Sequence, residues 1–224
     1  MLHKSRVLCV IACLALVLMA GCAQTQPTPD PNGDGPADPP ASHLPGEKVA
    51  EVPEGPQEKD GQLILEGMEE PFTFHRFHAE KLGMVTYLPH DLVTEPVTSE
   101  EGDLVMIWAA FAGSRNVDAY LSLMLYPEEA SPESILQERL DGLEQAGFTV
   151  EDMVRPDEEH TYIWAHEAYT WHGNEDGQAY SGIVAVGNHG ERLLVVEIRI
   201  PSELAEGFYP RAEAVMEAMM WYGF

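Results

Sequence analysis

Every aromatic residue of this chain falls in its last two thirds: four Trp, eight Tyr and seven Phe all lie between Phe72 and Phe224. Residues 1–71 have none. A segment without aromatics, and with few aliphatics, buries too little surface to offset the entropy of ordering it. Residues 23–61 add nine Pro and five Gly among acidic and small residues. That is the composition of a solvated, partly polyproline tether. The core must therefore come from residues 62–224, read as a single globular domain of about 160 residues.

The opening residues read as an address. Lys4 and Arg6 form a basic start, and Val7 to Met19 is an uncharged apolar run. This is shorter than the roughly 20 residues that span a bilayer and suits a signal peptide, residues 1–21. Leu18-Met19-Ala20-Gly21-Cys22 resembles the bacterial lipobox, with Met19 in place of the commoner Leu. The resemblance implies cleavage after Gly21 and a diacylglyceryl thioether on Cys22. The mature chain would then be held by its acyl chains in the cell membrane, or in the outer membrane of a cell with two. Ala23 carries no acidic retention signal. The plainer alternative is a secretory signal followed by a chance Cys. Cys9 and Cys13 leave with the signal, so the mature chain has one Cys and no internal disulfide.

The charge is −26, from 38 acids and 12 bases. Residues 22–61 account for −6 and the domain from residue 62 for −22. Such acidity argues against nucleic acid or an anionic membrane face as a direct partner. Asp30-Pro-Asn32-Gly-Asp34-Gly35 matches half of a calcium loop. The twelfth position is Ala41 rather than Glu, and the surrounding prolines forbid flanking helices, so this stretch reads as linker.

Within the domain, strands are expected at Gln62–Glu66, Phe72–His78, Gly83–Leu88, Asp103–Ala112 and Ala119–Tyr126. Asp103–Ala112 is nearly continuous apolar and reads as a central strand buried on both faces. Ser131-Pro132-Glu133 starts a helix that Gly147 ends. Three antiparallel strands follow, at His160–His172, Gln178–Gly187 and Arg192–Ile200. Ser202 opens a last helical region, with a turn before Pro210 and a helix after it. The order implies an α+β fold: an antiparallel sheet of about six to eight strands covered by two main helices. With Tyr87-Leu-Pro89 ending an early strand, the Pro132–Gly147 helix, the long hairpin at 160–187 and the closing strand and helix, the order resembles the PsbP-like fold of DcrB-type lipoproteins. That resemblance implies a sandwich with a binding or assembly role and carries over no catalytic residue.

The search for chemistry is largely negative. His166-Glu167-Ala-Tyr-Thr170 lacks the second His of a zincin motif, and no G-x-S-x-G elbow or phosphate loop occurs. No cofactor or metal is implied. His160, His166 and His172 are too far apart along one strand to share an ion. On that expected strand Tyr162, Trp164, His166 and His172 share one face, and Tyr169 and Trp171 the other. Trp164, His166, Trp171 and His172 are thus the candidate binding patch, if a face stays open; core burial is the alternative. Acid pairs at Glu69-Glu70, Glu100-Glu101 and Glu128-Glu129, and the run Asp157-Glu158-Glu159, are expected in solvated loops. Met216, Met219 and Met220 read as adaptable core. The expectation is a membrane-anchored extracytoplasmic lipoprotein, not an enzyme, that binds an unidentified envelope protein or ligand. The rival readings are an envelope hydrolase using loop carboxylates and a cation-binding lipoprotein.

Overall fold

The structure, a computed structural model, describes residues 51–95, 97–153, 162 and 164–223. The signal peptide, Cys22 and the stretch Asp30–Gly35 lie outside the described residues, as do Asp157, Glu158, Glu159 and His160. Strands β1 (Glu58–Leu65) and β2 (Met68–Ala79) form a hairpin. Its turn, Glu66-Gly67, has positive φ at both residues, which matches the twist of the paired strands. β2 pairs with β3 (Met84–Pro89), and β3 with the short β11 (Met220–Trp221). These four make one antiparallel sheet in the order β1-β2-β3-β11.

The chain leaves that sheet at His90-Asp91 and builds a second. Its strands are β4 (Leu92–Glu95), β5 (Asp103–Ala109), β6 (Tyr120–Leu125), β7 (Thr149–Asp152), β8 (Glu167–Glu175), β9 (Gln178–His189) and β10 (Arg192–Pro201). All neighbours are antiparallel, in the order β4-β5-β6-β10-β9-β8-β7. β10 takes the centre because most of it is apolar on both sides. Leu193 and Val195 join one core, and Leu194, Val196, Ile198 and Ile200 join the other. Only an interior strand hides both faces. One helix covers each face: α1 (Pro132–Gln145) through Leu136, and α2 (Ala205–Glu217) through Phe208, Ala212 and Val215. Ala79, Met84 and Leu88 of the four-stranded sheet join the α2-side core.

The α+β class with a seven-stranded antiparallel sheet and two main helices is as expected. Four details differ. The N-terminal strands form their own sheet. Asp103–Ala112 becomes a strand only to Ala109 and lies second from the edge, with Leu104 and Met106 half-exposed. β8 starts at Glu167 rather than His160; Tyr162 and Trp164 sit in turns before it, so alternation does not extend through them. The last helix also starts earlier, at Ala205, with Pro210 inside it. The proline removes one backbone bond, and the complete burial of Phe208 and Ala212 on either side holds the helix across the gap. Ser131 caps α1 as the sequence implies, accepting from the Ser134 amide, and Gly147 follows the helix with φ of 89°.

The two sheets and α2 meet at one ion pair. Arg211 on α2 donates through Nε and Nη2 to Asp91, at 2.9 and 2.7 Å to Oδ2, and also to the Gly207 carbonyl. The Phe72 ring lies 4.8 Å from the guanidinium and the Phe111 ring 4.5 Å. The two side chains are only 9% and 15% exposed. Removing one partner strands the other charge in a nearly dry site. Arg211→Ala or Asp91→Ala should each lower unfolding free energy by about 3–5 kcal/mol, while Arg211→Met with Asp91→Leu together should lose much less. Urea melts measure this, and a single-variant loss below about 1 kcal/mol would refute it.

Candidate functional site

Side chains alternate along a strand, so the α1 face of the seven-stranded sheet reads in rows. Leu104, Met124, Val195 and Val186 are aligned by pairing, and all belong to the core that α1 joins. The next row is Met106, Ser122, Glu197, Val184 and Tyr169. The third is Trp108, Tyr120, Arg199, Gly182 and Trp171. Polar groups thus appear mid-sheet, flanked by apolar neighbours.

α1 covers this face incompletely, since only Leu136 among its residues is buried. A groove of about 1070 Å³ lies along the helix. Ser134, Gln137, Glu138 and Asp141 line it from the helix, Val184 and Glu197 from the sheet. Burial pushes the Glu197 carboxyl above the usual carboxylate range; Arg139, the Tyr120 hydroxyl and Arg199 partly offset that. Burial also raises the Tyr120 hydroxyl, with the Glu197 charge adding to it. Tyr120 donates to Glu197 Oε1 across a long 3.4 Å. Both nearby arginines are turned elsewhere. Arg139 donates to the Tyr126 hydroxyl at 2.6 Å and to Glu101 at 2.8 Å. Arg199 pairs with Glu175 and stacks 4.2 Å from the Tyr180 ring. Among the described residues no ion pair reaches Glu197, and its carboxylate has spare accepting capacity at the floor of an open groove.

The sequence-derived patch is not one surface. Trp171 is 1% exposed and lies over Gly182 of β9, where an added Cβ would come within 2.2 Å of its ring. Phe148 meets it edge-on at 4.9 Å between centroids. Trp164, half-buried, lies over Gly187 and packs into the α2-side core, on the opposite face. His166 and His172 are exposed, and His172 alternates with Trp171 along β8. The two indoles fill seats left by glycines on a neighbouring strand, which an isolated strand pattern does not reveal. Met216 and Met219 are core. Glu69 and Glu70 lie on β2 rather than in a loop, and Glu101 is tied to Arg139. Among the described residues no three His, Cys, Asp or Glu side chains gather at metal-binding distance. Glu197 escaped the sequence reading; its signal is a lone acid inside Leu193–Ile200, otherwise apolar up to Arg199.

No family profile and no curated protein matches the chain. Solved structures do. The cyanobacterial PsbP (CyanoP) of Synechocystis aligns at 12% identity and TM-score 0.40, covering 66% of this chain and 92% of that one. LpqN of Mycobacterium tuberculosis, described as involved in cell envelope biogenesis, aligns at 12% and 0.40, covering 66% and 89%. The Ran-binding protein Mog1p of Saccharomyces cerevisiae aligns at 10% and 0.40, covering 67% and 96%. The likeness is one of fold, and the site is argued from this chain's own residues.

Three outcomes follow for stability. Because burial raises the folded-state pKa of Glu197, its ionised form weighs against folding at neutral pH, and that burden lifts as pH falls through the folded value toward the unfolded one. Glu197→Gln should therefore be more stable than wild type at pH 7, with the advantage gone near pH 4; urea melts at both pH values would show an equal difference if this is wrong. Gly182→Ala should cost about 1–3 kcal/mol through its clash with Trp171 and the Ile198 carbonyl. Gly142→Ala on α1, with nothing within 4 Å of the added carbon, should gain about 0.5–1 kcal/mol in the same assay.

Proposed function

We propose that this chain is an extracytoplasmic lipoprotein, anchored through Cys22, whose domain binds or helps assemble an envelope partner without catalysis. The carrying observation for binding is the groove along α1, open and floored by a desolvated carboxylate that the protein itself leaves short of partners. The lipobox-like Leu18–Cys22 and the proline-rich stretch behind it support the anchor. Because β1 takes in Glu58–Gly61 of the expected tether, residues 23–57 are left for it, and extended at about 3.1 Å each they would reach roughly 110 Å from the bilayer. The domain's charge of −22 keeps it from lying down on an anionic surface.

Cys22→Ala should abolish acylation by mass spectrometry and release the protein from membranes on fractionation. A variant that stays acylated or anchored would overturn the lipoprotein reading. For binding, recovery of a specific partner from detergent-solubilised membranes is expected with the wild type and lost with Gly142→Arg, which fills the groove.

A further inference from the structure

The groove has a chemical character that narrows its occupant. Glu133, Glu138, Asp141 and Glu197 line it against a single base, Arg139, and Glu101 and Tyr126 already engage that base. The half-buried carboxylate on the floor accepts the long Tyr120 contact, and Arg139 and Arg199, paired elsewhere, offset its burial only in part. α1 adds an independent sign. Asp141 and Glu144 follow Arg139 in its C-terminal half, where the helix dipole is negative, and its last turn holds no base. That arrangement is unfavourable within the free protein and is relieved by a cation lying alongside. Gly142 leaves the helix backbone bare at the same wall, with open space above it.

We infer that this groove seats an extended segment of the protein partner carrying lysine or arginine side chains, an assignment that rests on the binding reading above. α1 has 14 residues and is about 21 Å long. An extended strand at about 3.3 Å per residue covers that length with roughly six residues. Alternate side chains of such a segment face the groove, so two or three cations meet Glu138, Asp141 and Glu197. A cation at Glu197 replaces the lost hydration of its carboxylate, and the acidic domain steers the approach.

Overall charge attracts any cation, so the test must locate the binding. The probe is a fluorescein-labelled Lys-Ser-Lys-Ser-Lys-Ser peptide, with Glu-Ser-Glu-Ser-Glu-Ser as its counterpart, titrated by anisotropy against the full mature chain in detergent. The lysine peptide should bind and the glutamate peptide should not. Glu197→Gln and Gly142→Arg should each weaken binding about tenfold or more, with unchanged circular dichroism. Glu69→Gln with Glu70→Gln, which removes charge from the other sheet, should bind like wild type. Methyl signals of Val184 and Leu143 should shift on titration. Equal binding by all variants, or unmoved methyls, would reduce the effect to surface adsorption and overturn the inference. If Gly142→Arg does not fold, Glu197→Gln and the methyl shifts decide alone. If the lysine peptide fails while a membrane partner is still recovered by wild type and lost by Gly142→Arg, the cationic occupant is wrong and the binding reading stands. If partner recovery ignores Gly142→Arg, the groove itself is wrong, and the inference falls with it.

Discussion

The Arg211–Asp91 pair is the point on which the architecture turns. Asp91 occupies the turn where the chain crosses from the four-stranded sheet to the seven-stranded one, and Arg211 comes from the helix that packs against both. Phe72 from one sheet and Phe111 from the loop after β5 close over the guanidinium. The pair is bidentate and shielded, so its geometry is specified as well as its energy. With α2 held there, one face of the large sheet is closed by tightly packed side chains, and whatever remains open must lie on the other.

Among the described residues, that other face is covered by α1, with Phe148 beside it over Trp171. The helix is amphipathic but shallowly seated, with Leu136 its single buried residue. Three rows of side chains run beneath or beside it, and the middle one places Glu197 between Ser122 and Val184. A carboxylate in such a row is costly unless something uses it. The same region collects acids on the helix wall and sends its arginines to Glu101 and Glu175. Fold and electrostatics thus agree on one open, acidic groove opposite a closed core.

Much of the fold was legible in the residues. The Ser131 cap, Pro132 and Gly147 mark α1 because each relieves a local backbone constraint wherever the chain goes. The Asp176-Gly177 turn is equally local, with positive φ at both residues. The start of β8 was not legible: Tyr162 and Trp164 have strand-like chemistry, yet they sit in turns, placed by burial in the α2-side core. The expected aromatic patch failed for a related reason. Gly182 seats Trp171 by the register of β8 on β9, and Gly187 seats Trp164 on the opposite face from the turn before β8, so neither seat shows in one strand's own pattern.

The sequence by itself determined what depends on composition and neighbours. It marked the caps and turns and the α+β antiparallel class, showed that the acidity is concentrated after residue 61, and raised the expectation of an anchor at Cys22. Only the tertiary structure decided which polar side chains converge. Glu197 and Asp141 are 56 positions apart, and strand pairing together with helix docking brings them to one groove. Pairing register and packing are long-range properties, so the site they create has no local signature beyond one acid in an apolar strand.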